Sequence, residues 1–216
     1  MKTPRLVRFA VPALLLATTA CTSAYYSTME KFGVHKRDIL VDRVEDARAD
    51  QEDAKEQFQS TFEAFQALTS FEGGELEDLY ERLNDEYEDS VDSASDVRGR
   101  IESIEKVSVD LFEEWEGEIE EITDSDLQSK SRGLMRDTKQ RYDGLIVKMT
   151  SAADAMDPVL ETFKNNVLFL KHNLNAQAIS SLKDTSVEIE SDVAALIARM
   201  QDSIDEANDF IETMGS

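Results

Sequence analysis

Apolar side chains recur every three or four residues along most of this chain, and no strand-like alternation stands out, so the pattern predicts helix. Val44, Ala47, Gln51, Ala54, Phe58, Thr61, Phe65 and Leu68 form a heptad seam with two polar members. Ser27 and Glu30 make a capping box near its start, and Gly73 with Gly74 stops it. A second seam follows: Leu76, Leu79, Leu83, Glu86, Ser90, Ala94, Val97, Ile101, Ile104, Ser108, Leu111, Trp115, Glu118 and Ile122. A step of four replaces a three near Ser90, and the polar entries there predict that Tyr87 and Val91 take over the buried stripe.

Thr123 to Asp126 read as cap and turn residues. The third stripe runs Leu127, Ser131, Leu134, Thr138, Tyr142, Leu145, Met149, Ala152, Met156, Val159, Phe163, Val167, Leu170 and Leu174. Pro158 falls inside it and predicts a kink or a restart, with Asp157 as the cap. Asn173 and Asn175 offer a third turn, because Asn caps helices and tolerates left-handed backbone. The last stripe is Ile179, Leu182, Ser186, Ile189, Val193, Leu196, Met200, Ile204, Ala207, Ile211 and Met214.

The turns near residues 72, 124 and 174 are spaced by roughly 50 residues, which implies helices about 60–70 Å long. Equal lengths and short turns predict an all-α fold, a long antiparallel up-down-up-down four-helix bundle with coiled-coil seams. The competing arrangement lacks the Asn173–Asn175 turn and has one very long bent helix. Two hairpins of one chain, or a homo-oligomer, satisfy the same seams.

The first twenty residues break the pattern. Lys2, Arg5 and Arg8 precede an apolar run from Phe9 to Ala17, then small residues, then the only cysteine, Cys21. That order predicts a signal peptide over 1–20, too short to remain as a membrane span, and a single helical-bundle domain over 21–216. A lone cysteine after a small residue resembles the bacterial lipoprotein processing site, where the thiol is lipidated. Thr18 departs from that pattern, which usually has Leu three residues before the cysteine, and ordinary cleavage after Ala24 is the competing reading. Two or more acyl chains anchor stably at about 0.8 kcal/mol per buried methylene. Thr22, where Asp would signal inner-membrane retention, points to the outer membrane facing the periplasm.

Without residues 1–20 the chain carries 20 basic and 46 acidic residues, a formal charge of −26. Such a surface repels nucleic acid and suits a basic partner, divalent cations or simple solubility in salt. No cofactor is expected. Ferritin-like sites need Glu three residues before His, whereas Phe32 and Phe169 precede His35 and His172. No phosphate-cradling loop, calcium loop, zinc spacing or nucleophile with its base occurs in the sequence, so no enzyme is expected.

Two clusters are candidate contact sites. Lys31, His35, Lys36, Arg37 and Arg43 concentrate positive charge near the anchored end, as a contact to lipid phosphates or as partners of neighbouring carboxylates. Phe163, Phe169, Lys171, His172 and Asn173 lie around an unbroken apolar run, Val167 to Leu170. In the bundle this run meets Phe62, Phe65, Leu68 and Phe71 at the end away from the anchor, as an aromatic plug or as a partner-binding tip.

The stretches YYSTMEKFGVHKRDILVDRV (25–44) and FLKHNLNAQAISSL (169–182) resemble an uncharacterised family of secreted proteobacterial proteins, a domain of unknown function. The resemblance covers most of the chain after Cys21 and implies helical architecture and an envelope location, with no assigned activity. The expected function is therefore a non-enzymatic scaffold or adaptor, anchored in the membrane through Cys21 and meeting a protein partner. A periplasmic carrier of apolar ligands is the alternative, if Ala47, Gln51, Ala54, Thr61, Met149 and Met156 leave a cavity between helices.

Overall fold

A computed structural model describes residues 35–71 and 76–214. Cys21, Lys31, the Ser27–Glu30 capping box and Gly73–Gly74 lie outside the described residues. The chain divides between Lys36 and Arg37, and every contact reported below lies within Arg37–Ser216.

The described residues are helical and contain no strand: α1 (Lys36–Thr69), α2 (Leu76–Glu121), α3 (Ser125–His172), α4 (Ala176–Ser181) and α5 (Lys183–Met214). At 1.5 Å per residue, α2 and α3 are each about 70 Å long. The breaks at 122–124 and 173–175 fall where the sequence places its turns. Asp124 stands in extended backbone, and its carboxylate accepts from the Asp126 and Leu127 amides, both at 2.9 Å. Asn175 does the same for α4, accepting from Gln177 and Ala178. The competing reading of one long bent helix through 173–175 is therefore wrong: the turn exists, because Asn175 supplies a cap that a helix interior has no use for.

Neighbouring helices run in opposite directions. Along α1 and α5, Arg37 donates to the Met214 carbonyl, Arg48 to Asn208, and Lys55 to Gln201, so numbers rise on one as they fall on the other. Between α1 and α2, Thr61 meets Ser90 while Arg100 meets Asp50 and Asp46. Between α2 and α3, Arg98 meets Asp157 while Trp115 Nε1 donates to Ser131 Oγ at 3.0 Å. Lys148 of α3 pairs with Glu206 of α5 at 2.6 Å.

All eight members of the α1 seam are buried, including the polar Gln51 and Thr61. Each polar member has a partner on a neighbouring helix. Ser203 donates to Gln51 Oε1 at 2.9 Å, and Thr61 Oγ1 lies 2.7 Å from Ser90 Oγ and 2.8 Å from the Glu86 carbonyl. Ser90 is fully buried for that reason, and Val91 is 38% exposed. The expected takeover by Tyr87 and Val91 does not occur, because a hydroxyl with a partner is cheaper to bury than a stripe is to shift.

Three other expectations need correction. Ile119 rather than Glu118 is buried near the end of α2, and Phe210 rather than Ile211 is buried in α5. Pro158 neither ends nor restarts α3, and Asp157 caps nothing. Pro158 has no N–H for the preceding turn. Arg98 reaches across from α2, donating to the Ala153 carbonyl at 3.2 Å and to the Asp157 carboxylate. Finally, the last stripe is not one helix. The backbone tightens at Leu182, whose N–H bonds to the Ile179 carbonyl, and the Ser181 hydroxyl takes the Ala178 carbonyl.

Tyr142 of α3 packs edge-on against Phe112 of α2, with ring centroids 5.7 Å apart. Burial raises the Tyr142 pKa; the Ser108 hydrogen bond opposes this, and Glu105 and Asp143 add to it. The folded state thus holds this proton more tightly than the unfolded state. Its contribution is present below the ordinary tyrosine range near pH 10 and is lost as pH rises through the folded value. Denaturation midpoints should fall above about pH 10, and Tyr142→Phe should flatten that limb.

Candidate binding surface at the α3–α4 turn

The last turns of α3 carry the apolar run 167–170, which covers all sides of a helix. Packing divides it. Val167 and Leu170 are 4% and 0% exposed, whereas Leu168 and Phe169 are 51% and 41% exposed. The reason is the hundred-degree step of the helix: with 163, 167 and 170 facing inward, 168 and 169 face out.

Phe163 is fully buried. It is a core residue and takes no part in any surface, contrary to the expectation that it belongs to the tip. Lys171, His172 and Asn173 are exposed and border Phe169. The backbone beneath them is held by side chains. Asn173 Nδ2 donates to the Phe169 carbonyl at 2.8 Å, and the Asn173 N–H bonds to the Leu170 carbonyl. The Asn175 N–H in turn reaches the Asn173 carbonyl at 2.8 Å. Two exposed apolar side chains thus sit on a capped, hydrogen-bonded helix end with a polar rim. Leu168 was read in the sequence only as part of the run, and nothing in that run separates it from its buried neighbours. Phe62, Phe65 and Leu68 are buried, and Phe71 is half-buried. The α1–α5 register, 55 beside 201, carries Leu68 to the same end of the helices as α4.

The basic cluster is partly spoken for by its own chain. Arg37 bonds to the Met214 carbonyl, and Arg43 pairs with Asp46 at 3.7 Å. His35 and Arg37 are exposed, and Lys36 and Arg43 are half-exposed. Ala47, Gln51, Ala54, Thr61, Met149 and Met156, the residues named for a ligand cavity between helices, are each at most 1% exposed. An open groove of about 770 Å³ runs along the outside of α3 and α5, past Val147, Asp154 and Arg199. Among the described residues there is no group of three or more His, Cys, Asp or Glu side chains placed to hold a metal ion. No described helix is long and apolar enough to cross a membrane.

The family described as "Protein of unknown function (DUF2959)" matches residues 25–214, most of the chain. The chain belongs to the DUF2959 family. No curated protein and no solved structure matches it. The DUF2959 match includes both clusters discussed above and begins after Cys21.

Proposed function

We propose that this protein is an envelope lipoprotein, held in the outer membrane through Cys21, that acts as a non-enzymatic adaptor. Its helices form an up-down-up-down four-helix bundle that carries a protein-binding end into the periplasm. The opposed register of each neighbouring pair, α1–α2, α2–α3, α3–α5 and α5–α1, supports that arrangement. The observation that carries the functional reading is the outward pair Leu168 and Phe169 on a helix end fixed by Asn173 and Asn175. Exposed apolar residues on a rigid, rimmed support are the usual anchors of a protein interface, since little entropy is lost on binding.

The test uses the full chain in its host. Palmitate should label the wild type and not Cys21→Ala. Crosslinking in intact envelopes should recover a defined protein with the wild type. Leu168→Ser with Phe169→Ser should abolish that adduct without changing helix content, whereas Val109→Ser, equally exposed on α2, should leave it intact. An adduct indifferent to Leu168 and Phe169 would sink the adaptor reading.

A further inference from the structure

Acids make up 46 of the 216 residues, yet residues 162–183 contain none. No other run of that length after Cys21 lacks one. The stretch covers the last turns of α3, the capped turn, α4 and the first residue of α5. Its lysines, Lys164, Lys171 and Lys183, are all exposed, and exposed His172 stands beside them. The helix macrodipole accounts for part of this. Lys171 and His172 lie in the last turn of α3, where a cation is favoured. Lys164 lies about two turns further back, beyond the reach of that helix end. Lys183 opens α5, where the dipole disfavours a cation. Helix electrostatics therefore do not explain two of the three lysines.

The basic side chains frame the exposed apolar pair. Lys164, Leu168 and Lys171 follow one another at steps of four and three, so Leu168 has a cation on either side of it along one face of α3. Asn165, Phe169 and His172 repeat the spacing one face round. The apolar surface continues past Lys164. An open groove of about 770 Å³ lies there between α2 and α3, lined toward Leu168 by Tyr87, Val91, Lys164 and Asn165. Its acids, Glu102, Asp157 and Glu161, lie toward the middle of α3.

We propose that the partner engaged here is another protein, through a segment that sets an apolar side chain between carboxylates. This rests on the reading of the α3–α4 turn as a protein-binding end and names the chemistry of what it binds. The partner's apolar side chain covers Leu168 and Phe169, and its carboxylates meet Lys164 and Lys171. A small anion has nothing with which to cover the apolar pair. An anionic membrane is too broad. With Arg98 beside Asp157, Leu168 comes level with about residue 87 of α2, and the exposed acids Asp85 and Asp89 would meet the same negative surface. A segment one helix wide, about 10 Å, lies along α3 without reaching them.

A photocrosslinking side chain at position 165 of the full chain, expressed in its host, tests this. An adduct to another polypeptide is expected, and mass spectrometry should map it to a segment in which Asp or Glu flank an apolar residue. Lys164→Glu with Lys171→Glu should lower the yield about tenfold at unchanged helix content, because like charges then face each other. Lys164→Arg with Lys171→Arg keeps the charge and should keep the yield. Absence of any polypeptide adduct, or one that survives Leu168→Ser with Phe169→Ser, removes the adaptor reading and this inference with it. An adduct that needs Leu168 and Phe169 but ignores the charge reversal overturns this inference alone. So does one that maps to a segment without acids or to a second copy of this chain.

Discussion

Replacing Phe58 with Ala should lower the unfolding free energy by about 3–5 kcal/mol, the largest loss from any single truncation here. Phe58 is fully buried near the middle of α1. Its seam neighbours Gln51, Ala54 and Thr61 are small or held by hydrogen bonds, so they cannot move in to fill the space. The cost is the lost transfer free energy of the ring plus that of the cavity it leaves. Urea denaturation followed by circular dichroism would measure it. The midpoint should fall while the helical signal without denaturant stays unchanged. A loss below about 1 kcal/mol would mean that the α1 seam does not face a packed core.

The second prediction concerns a single hydroxyl. Thr61→Val keeps the shape of the side chain and should still cost about 1–3 kcal/mol. The Glu86 carbonyl keeps a partner, since Gln57 Nε2 donates to it at 3.1 Å. Ser90, fully buried and 2.7 Å from Thr61, loses its partner across the α1–α2 seam. Adding Ser90→Ala removes the orphaned group, so the double variant should recover most of the loss. A cycle of the four proteins isolates the coupling. Strict additivity would mean that the two hydroxyls do not meet. The same layer explains how a polar seam position can fix register: sliding α1 by one heptad would place Thr61 and Gln51 against apolar partners.

How far the residues alone lead is visible along α1, where all eight seam positions named from periodicity are buried. It is visible again at Asp124 and Asn175, whose side chains cap the helices that follow them. These are local facts: a cap acts over three residues and a heptad over seven, so a linear text contains them. The candidate surface was only half legible. The run 167–170 marks the place, but an apolar run has no preferred face, and only the packing of α3 separates buried Phe163 and Leu170 from exposed Leu168 and Phe169.

The remaining decisions belong to the tertiary structure. Periodicity gives the phase of a stripe and not the depth to which packing buries it, so Leu127 and Leu134 read as core and stand exposed. Nor can it say which polar residue finds a partner, so Ser90 is buried by Thr61 on a helix far away in sequence. Arg98 of α2 likewise bonds to the Ala153 carbonyl of α3, a link that no spacing announces. Helix, phase and turn follow from neighbours along the chain; depth and partnership depend on which helices lie alongside, and those are fixed only when the whole set packs.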